Sequence, residues 1–301
     1  MSNLCDLIGR DKKHLVQLCL PYEKIKRPLK FPVIVQEKLD GVFVIAYVDK
    51  EENCSFYSRT GEEYVSMGHL KEDFVKLAKN TGLSFFLFEA YNPNYPQSVI
   101  SGWCRDTKAT HDKLWAYIHD VFTYEEFLGE QKPSPYEKRF NRLYCTGGSY
   151  FYLFLMPDRF IGNIEDLLDY KEEVEAKGGE GVIIRDPDSC DYYPGKRKDN
   201  LIKWKKTLTF DLRVVGVSNG KGKGKYRNIC GRLICQDSAG KEIHVGSGLT
   251  DEQRKTWWED PSLILGKIVE VEAMCLSTKG ILREPRFKGI RHDKAEVDLI
   301  C

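Results

Sequence analysis

Several things are missing from this 301-residue chain, and each absence narrows what it can be. None of its ten cysteines forms a C-x-x-C pair and their spacing is irregular, which argues against a zinc cluster and for free thiols in a reducing cytoplasm. No window approaches the apolar length of a membrane span. The N-terminus, "MSNLCDLIGRDKKHL", lacks the apolar run of a signal peptide, so neither a membrane protein nor a secreted one is expected. Internal repeats and low-complexity segments are absent as well. An excess of one charge is lacking overall, with 46 Lys and Arg against 45 Asp and Glu.

What is present describes a globular protein: 42% hydrophobic and 30% charged residues, in a chain long enough for a sizeable core and two domains. The near-neutral total hides an uneven distribution. "KRKDNLIKWKK" (196–206) holds six cations and one acid, "KGKGKYRNICGR" (221–232) five cations and no acid, and 279–294 six cations and two acids. A basic C-terminal third points to a polyanionic partner, although any one cluster is equally compatible with a solvated loop.

Short apolar runs of strand character recur at 31–36, 42–48, 84–91, 113–121, 150–155 and 181–185. Between them, "HLKEDFVKLAKNTG" places Leu70, Phe74, Leu77 and Ala78 on one helical face, with Gly82 as its stop. In "NIEDLLDYKEEVEAKGG", Asn163 caps a second helix, Leu167, Leu168 and Val174 line its face, and Gly178-Gly179 ends it. After Thr207 the pattern becomes successive strands with one short helix near "TDEQRKTWW", which fits a five-stranded oligonucleotide-binding barrel. The expected domains are 1–207 and 208–301.

The stretch "QEKLDGVFVIAYV" (36–48) sets a lysine and an aspartate between two apolar segments. Asp-Gly is a favoured hairpin dipeptide, so the charged corner fits a turn; it equally fits a lysine held as a nucleophile at a pocket edge. Downstream, in order, come "YSRTGEEY", "FFLFEAYNP", "AYIHDVF", "GGEGVIIRDP", "NLIKWKK" and "REPRFKGIRHDK". With these the chain resembles the covalent nucleotidyltransferases, and most of all the small ATP-dependent DNA ligases of bacteriophages. Lys38-Leu39-Asp40-Gly41 resembles the nucleophile motif, Ser58-Arg59-Thr60-Gly61 the next, Glu89 the third, Glu180 to Arg185 the fourth, Lys203-Trp204-Lys205 the fifth and Arg291-His292-Asp293-Lys294 the last.

The resemblance implies an α+β fold: a nucleotidyltransferase domain of antiparallel sheets with flanking helices, an ATP-grasp-like ligase core, followed by a small OB-fold barrel. It implies ATP and Mg²⁺ as cofactors, nicked double-stranded DNA as partner, no membrane, a monomer, and a bacterial or phage-infected cell. A lysine amine is protonated and inert at neutral pH, so the expectation is that nearby cations and partial burial lower the Lys38 pKa. Lys203 and Lys205 alternate along one strand, so both can face the pocket and supply that field. By resemblance they also hold the α-phosphate of ATP, and Lys38 attacks it to form a lysyl-AMP. Asp40 belongs with Lys38, Lys203 and Lys205 to the catalytic set.

Glu89 ends an otherwise apolar strand, a costly place for a charge that binds nothing. The resemblance gives it the ribose and gives Glu180 the magnesium, with Glu89 as a further metal ligand. Glu37, Arg59, Arg291 and Lys294 complete the ATP contacts. Arg291, Asp293 and Lys294 are implied to reach over the phosphates when the domains close. His119 or Tyr117 is expected to stack on adenine. Lys221, Lys223, Lys225 and Arg227 are expected to track the DNA backbone. Phe43 departs from the pattern: the family carries arginine there, and Arg59 or a barrel cation is its expected replacement. An N-terminal DNA-binding domain, a zinc finger and a helix-hairpin-helix segment are not expected, unlike in NAD-dependent and large eukaryotic ligases. An mRNA-capping guanylyltransferase, an RNA ligase and, from another class, a non-catalytic nucleic-acid clamp are the alternatives.

Overall fold

The structure, a computed structural model, describes residues 3–144, 150–220, 228–276 and 280–300. The chain divides into two compact units, Met1–Trp204 and Lys205–Cys301.

In the first unit the strands are β1 (Leu18–Pro21), β2 (Val33–Glu37), β3 (Val42–Val48), β4 (Cys54–Tyr57), β5 (Glu63–Tyr64), β6 (Phe85–Tyr91), β7 (Trp115–Phe122), β8 (Leu153–Leu155), β9 (Arg159–Ile161), β10 (Gly181–Arg185) and β11 (Arg197–Lys205). The helices are α1 (Leu4–Ile8), α2 (Lys71–Thr81), α3 (Gln97–Cys104), α4 (Tyr124–Leu128), α5 (Tyr136–Asn141) and α6 (Ile164–Ala176). They build two sheets, ordered β1-β11-β10-β2-β9 and β5-β4-β3-β6-β7-β8. Most pairs are antiparallel; β1 with β11 and β7 with β8 are parallel.

Alternation in "VFVIAYV" sorts the second sheet's side chains. Val44, Ala46 and Val48 join the core made with α2, α3 and α5, whereas Phe43, Ile45 and Tyr47 face the opposite way with Leu4, Leu15, Phe85, Leu87 and Phe127. The first sheet packs Val33, Val35, Val182 and Ile184 on Leu167 and Val174 of α6.

Both helices anticipated from periodicity are present. Gly82 closes α2 in the left-handed conformation at φ 70°, and the Asn163 side chain accepts the Asp166 amide at 2.8 Å to cap α6. Leu168, expected on the buried face of α6, is instead 40% exposed; Leu167 and Val174 do the packing. The hairpin expected at Asp40-Gly41 is absent. β2 pairs with β10 and β9, and β3 with β4 and β6, so "KLDG" carries the chain from one sheet to the other. Gly41 serves close approach rather than turning: a Cβ there would sit 2.4 Å from the Ala90 carbonyl oxygen and 2.8 Å from Glu89 Cγ.

In the second unit the strands are β12 (Leu208–Asn219), β13 (Cys230–Gln236), β14 (Glu242–Val245), β15 (Ile268–Ala273), β16 (Cys275–Leu276), β17 (Leu282–Arg283) and β18 (Arg286–Ile290), with helix α7 (Asp251–Glu259). The five-stranded order is β14-β13-β12-β15-β18, and an isolated bridge from Ser247 to Arg286 joins its two edges into a barrel. Gly248, at φ 90°, permits that closure, since a Cβ would meet the Phe287 carbonyl oxygen at 2.1 Å. Helix α7 starts at a capping box of Thr250 and Gln253 and sends Arg254 to the carbonyls of Cys230, Gly231 and Gly246. No described helix is long and apolar enough to cross a membrane.

Candidate active site

Lys38 stands one residue beyond β2, and its backbone amide donates to the Gly181 carbonyl of β10 at 2.8 Å. The same register brings Glu180, just ahead of β10, against the lysine: Nζ lies 2.5 Å from its carboxylate. Gly179 allows this approach. A Cβ on it would meet Val174 at 2.5 Å and the Glu37 carboxylate oxygen at 3.1 Å.

Burial favours the neutral amine of Lys38, but the carboxylates of Glu180 and Glu89 outweigh it and hold the pKa above the ordinary lysine value. The expectation of a depressed lysine is therefore reversed. In this structure Lys38 is an ammonium in a carboxylate pair, and it must lose its proton before it can attack anything.

Glu89 reaches the same point from the second sheet, paired with Phe43 of β3 on one side and Tyr117 of β7 on the other. Burial pushes its pKa up to about 7, with the Glu180 carboxylate adding to the rise against Lys38 and Arg59. Two hard-oxygen carboxylates that repel one another beside a lysine suit Mg²⁺, which takes one or two protein carboxylates and completes its shell with water and phosphate oxygens. Among the described residues no group of three His, Cys, Asp or Glu forms a closed metal cage.

A β-bulge sets the next wall. Leu87 pairs with Asp120 and Phe88 with Ile118, so His119 is the extra residue. Its ring lies 5.5 Å from that of Phe43. Its Nδ1 is 3.3 Å from Arg185, which can only donate, so Nδ1 is the unprotonated nitrogen. Burial and then the Arg185 cation push the His119 pKa down to about 3, leaving a neutral ring. Tyr117 shares the Glu89 face but stacks on Phe154 at 5.0 Å and meets Tyr91 edge-on at 5.7 Å. Phe43 carries the Arg59 guanidinium 5.1 Å above its ring. Glu37 is exposed at the end of β2, and Asp40 is partly buried in the crossing between sheets.

Sequence reasoning missed the buried network behind this wall. Asp120 accepts two hydrogen bonds from Arg139, at 2.7 and 2.8 Å, and one from Arg185 at 3.2 Å. Arg185 also donates to Gln36, whose amide reaches Tyr136 and Asp158. Arg139 and Arg185 hold the Asp120 carboxyl below the usual range despite its burial. A signal was available: Arg185 ends the apolar run "GVIIR", and Asp120 is a charge set inside the otherwise strand-like "AYIHDVF".

The other predicted residues lie on further elements. Lys203, opposite Pro21, lies on β11, which neighbours β10; Trp204 beside it stacks on Tyr22 at 3.7 Å. Lys205, the last residue of β11, is the first residue of the second unit, with Nζ 3.1 Å from the Met274 sulfur. In that unit Arg291 forks onto Asp293 at 2.9 and 3.0 Å and reaches Asp211 at 3.2 Å, while Lys294 lies 3.5 Å from Asp211. Lys221, Lys223, Lys225 and Arg227 lie outside the described residues.

Comparison with known proteins agrees with this architecture. The family described as ATP dependent DNA ligase domain matches residues 13–205, and the DNA ligase OB-like domain matches 221–291. A DNA ligase of Haemophilus influenzae is 31% identical over 275 residues, covering 87% of this chain and 86% of that protein. The DNA ligase of Enterobacteria phage T4 is 24% identical over 305 residues; the match takes in 82% of this chain but spans only 61% of the phage protein. A solved structure from a structure-function study of DNA binding by Lig E DNA ligases superposes with a TM-score of 0.70 at 18% identity, covering 92% of this chain and 98% of that one. These relatives do not favour a capping enzyme. By the match across both its units, the chain belongs to the ATP-dependent DNA ligase family.

Proposed function

We propose that this protein acts as a monomer and seals 5′-phosphate/3′-hydroxyl nicks in duplex DNA with ATP, through a covalent AMP on Lys38. The observation that carries this reading is the meeting of Lys38, Glu180 and Glu89 where the two sheets of the first unit approach, in a chain of the DNA ligase family. In the first step the Lys38 amine, having given up its proton, attacks the α-phosphorus of ATP. An N–P bond forms, the bond to the bridging oxygen breaks, and pyrophosphate leaves. The 5′-phosphate of the nick then displaces the lysine, and the 3′-hydroxyl displaces AMP to make the phosphodiester.

Glu180 and Glu89 would hold Mg²⁺, which when bound supplies charge neutralisation at the phosphates. The protein's own contribution is positional. Glu180 fixes the Lys38 Nζ, Arg59 and Lys203 supply cations to the phosphates, and the neutral ring of His119, backed by Arg185, offers a flat face to adenine. Lys205, Arg291 and Lys294 would contribute further cations to ATP, and Asp40 and Glu37 flank the lysine. Incubation with labelled ATP or GTP and Mg²⁺ tests this: a covalent adduct that is lost in Lys38→Ala is expected from ATP alone. Nicked duplex DNA is then expected to be sealed in preference to nicked RNA. Labelling by GTP would support capping instead, and no adduct from either nucleotide would sink the enzymatic reading.

A further inference from the structure

Arg59 sits on an exposed turn between β4 and β5, where a long side chain would ordinarily sample many rotamers. Three sets of contacts restrict it. From outside, the turn is braced by the N-terminal helix: the Leu4 amide donates to the Gly61 carbonyl at 3.0 Å and the Cys5 thiol to the Thr60 carbonyl at 3.6 Å. Gly61, at φ 84°, has no room for a side chain, since a Cβ would lie 2.5 Å from the Asn3 side-chain oxygen Oδ1 and 2.8 Å from the Cys5 sulfur. Within the turn, the Ser58 hydroxyl accepts the amides of Thr60 and Glu62 at 3.2 and 3.1 Å. From beneath, the Phe43 ring supports the guanidinium at 5.1 Å, and Phe43 is itself fixed between His119 and the core that contains fully buried Leu4.

Phe43 is the direct cross-strand partner of Glu89, so a guanidinium held over its ring is held at the Lys38–Glu89 face. We infer that Phe43 is a positioning residue for adenylyl transfer: its ring, with the N-terminal brace on the turn, aims Arg59 at a phosphate of ATP. This rests on the ligase reading and adds to it a residue that touches neither substrate nor metal but acts through another.

A double-mutant cycle on the full chain tests it, reading kcat/KM for AMP transfer to Lys38, with thermal melting as a control for folding. Arg59→Ala is expected to lower kcat/KM about a hundredfold. Phe43→Leu, which keeps apolar volume but removes the ring, should lower it about three- to tenfold, and Phe43→Trp should restore most of that loss. Phe43→Leu placed on Arg59→Ala should cost nothing further, because the guanidinium it positions is gone. A Phe43→Leu loss that multiplies unchanged onto Arg59→Ala, or a Trp variant as impaired as the Leu variant, would overturn the inference while leaving the ligase reading intact. An Arg59→Ala protein with full activity would overturn it too. A wild-type chain that forms no adduct overturns both.

Discussion

Glu89 keeps its proton to about pH 7 because burial and the neighbouring Glu180 carboxylate oppose its ionisation more than Lys38 and Arg59 favour it. The sign of the consequence follows from linkage. An unfolded glutamate ionises near 4.5 and the folded one near 7, so between those values the native state holds a proton that the unfolded state has lost, and stability falls as pH rises. After discounting for its partial exposure, the loss is about 1–2 kcal/mol. Glu89→Gln removes the titration. The variant is expected to match the wild type near pH 5, to exceed it by about that amount at pH 8 in urea unfolding, and to lose most AMP transfer to Lys38. A variant no more stable at pH 8 than the wild type would show that Glu89 is solvated. A glutamate whose ionisation works against the fold is the physical cost that a charge in the apolar "FFLFE" implied from sequence.

The crossing from β2 to β3 shows what sequence reveals of an element and what it withholds. Alternation located β3 to the residue, and the polar corner with Lys38 was legible as special. The partner strands were not legible, because a strand's apolar pattern records that a face is buried and says nothing of which sheet buries it. Gly41 was accordingly assigned to a hairpin, whereas its demand is room beside β6. Gly41→Ala should therefore destabilise by about 1–3 kcal/mol, since the atom it meets is a backbone carbonyl that cannot swing aside, and should displace Glu89 and slow AMP transfer. Gly102 in α3 has open space and no left-handed φ, so Gly102→Ala should stabilise by about 0.5–1 kcal/mol. Equal effects of the two substitutions in denaturant melts would contradict the close-approach assignment. The Asp120–Arg139–Arg185 network escaped notice for a related reason: its charges come from β7, α5 and β10, and only tertiary pairing reveals that each has its partner.

Across the whole molecule the motifs divide between two units, with Lys38, Arg59, Glu89, Glu180 and Lys203 in Met1–Trp204 and Arg291, Asp293 and Lys294 in Lys205–Cys301. The second group is not uniform. Arg291 is committed to carboxylates on three residues, at 2.9 Å to Asp293, 3.2 Å to Asp211 and 3.6 Å to Glu270, and it holds the Asp293 pKa down to about 2. Lys294 makes one longer ion pair among the described residues, 3.5 Å from the buried Asp211, and stays 46% exposed, so its charge is the more readily offered to a polyphosphate. Of the three steps of the proposed reaction, only AMP transfer to Lys38 would release pyrophosphate; the later two would not carry the β- and γ-phosphates. A cation whose work is to stabilise that leaving group is needed in one step alone. Lys294→Ala is thus expected to slow lysyl-AMP formation about a hundredfold while changing the sealing of a pre-adenylylated nick by less than about threefold. Single-turnover assays of the two half-reactions read the split directly, and equal losses in both would mean that Lys294 serves DNA binding rather than pyrophosphate departure.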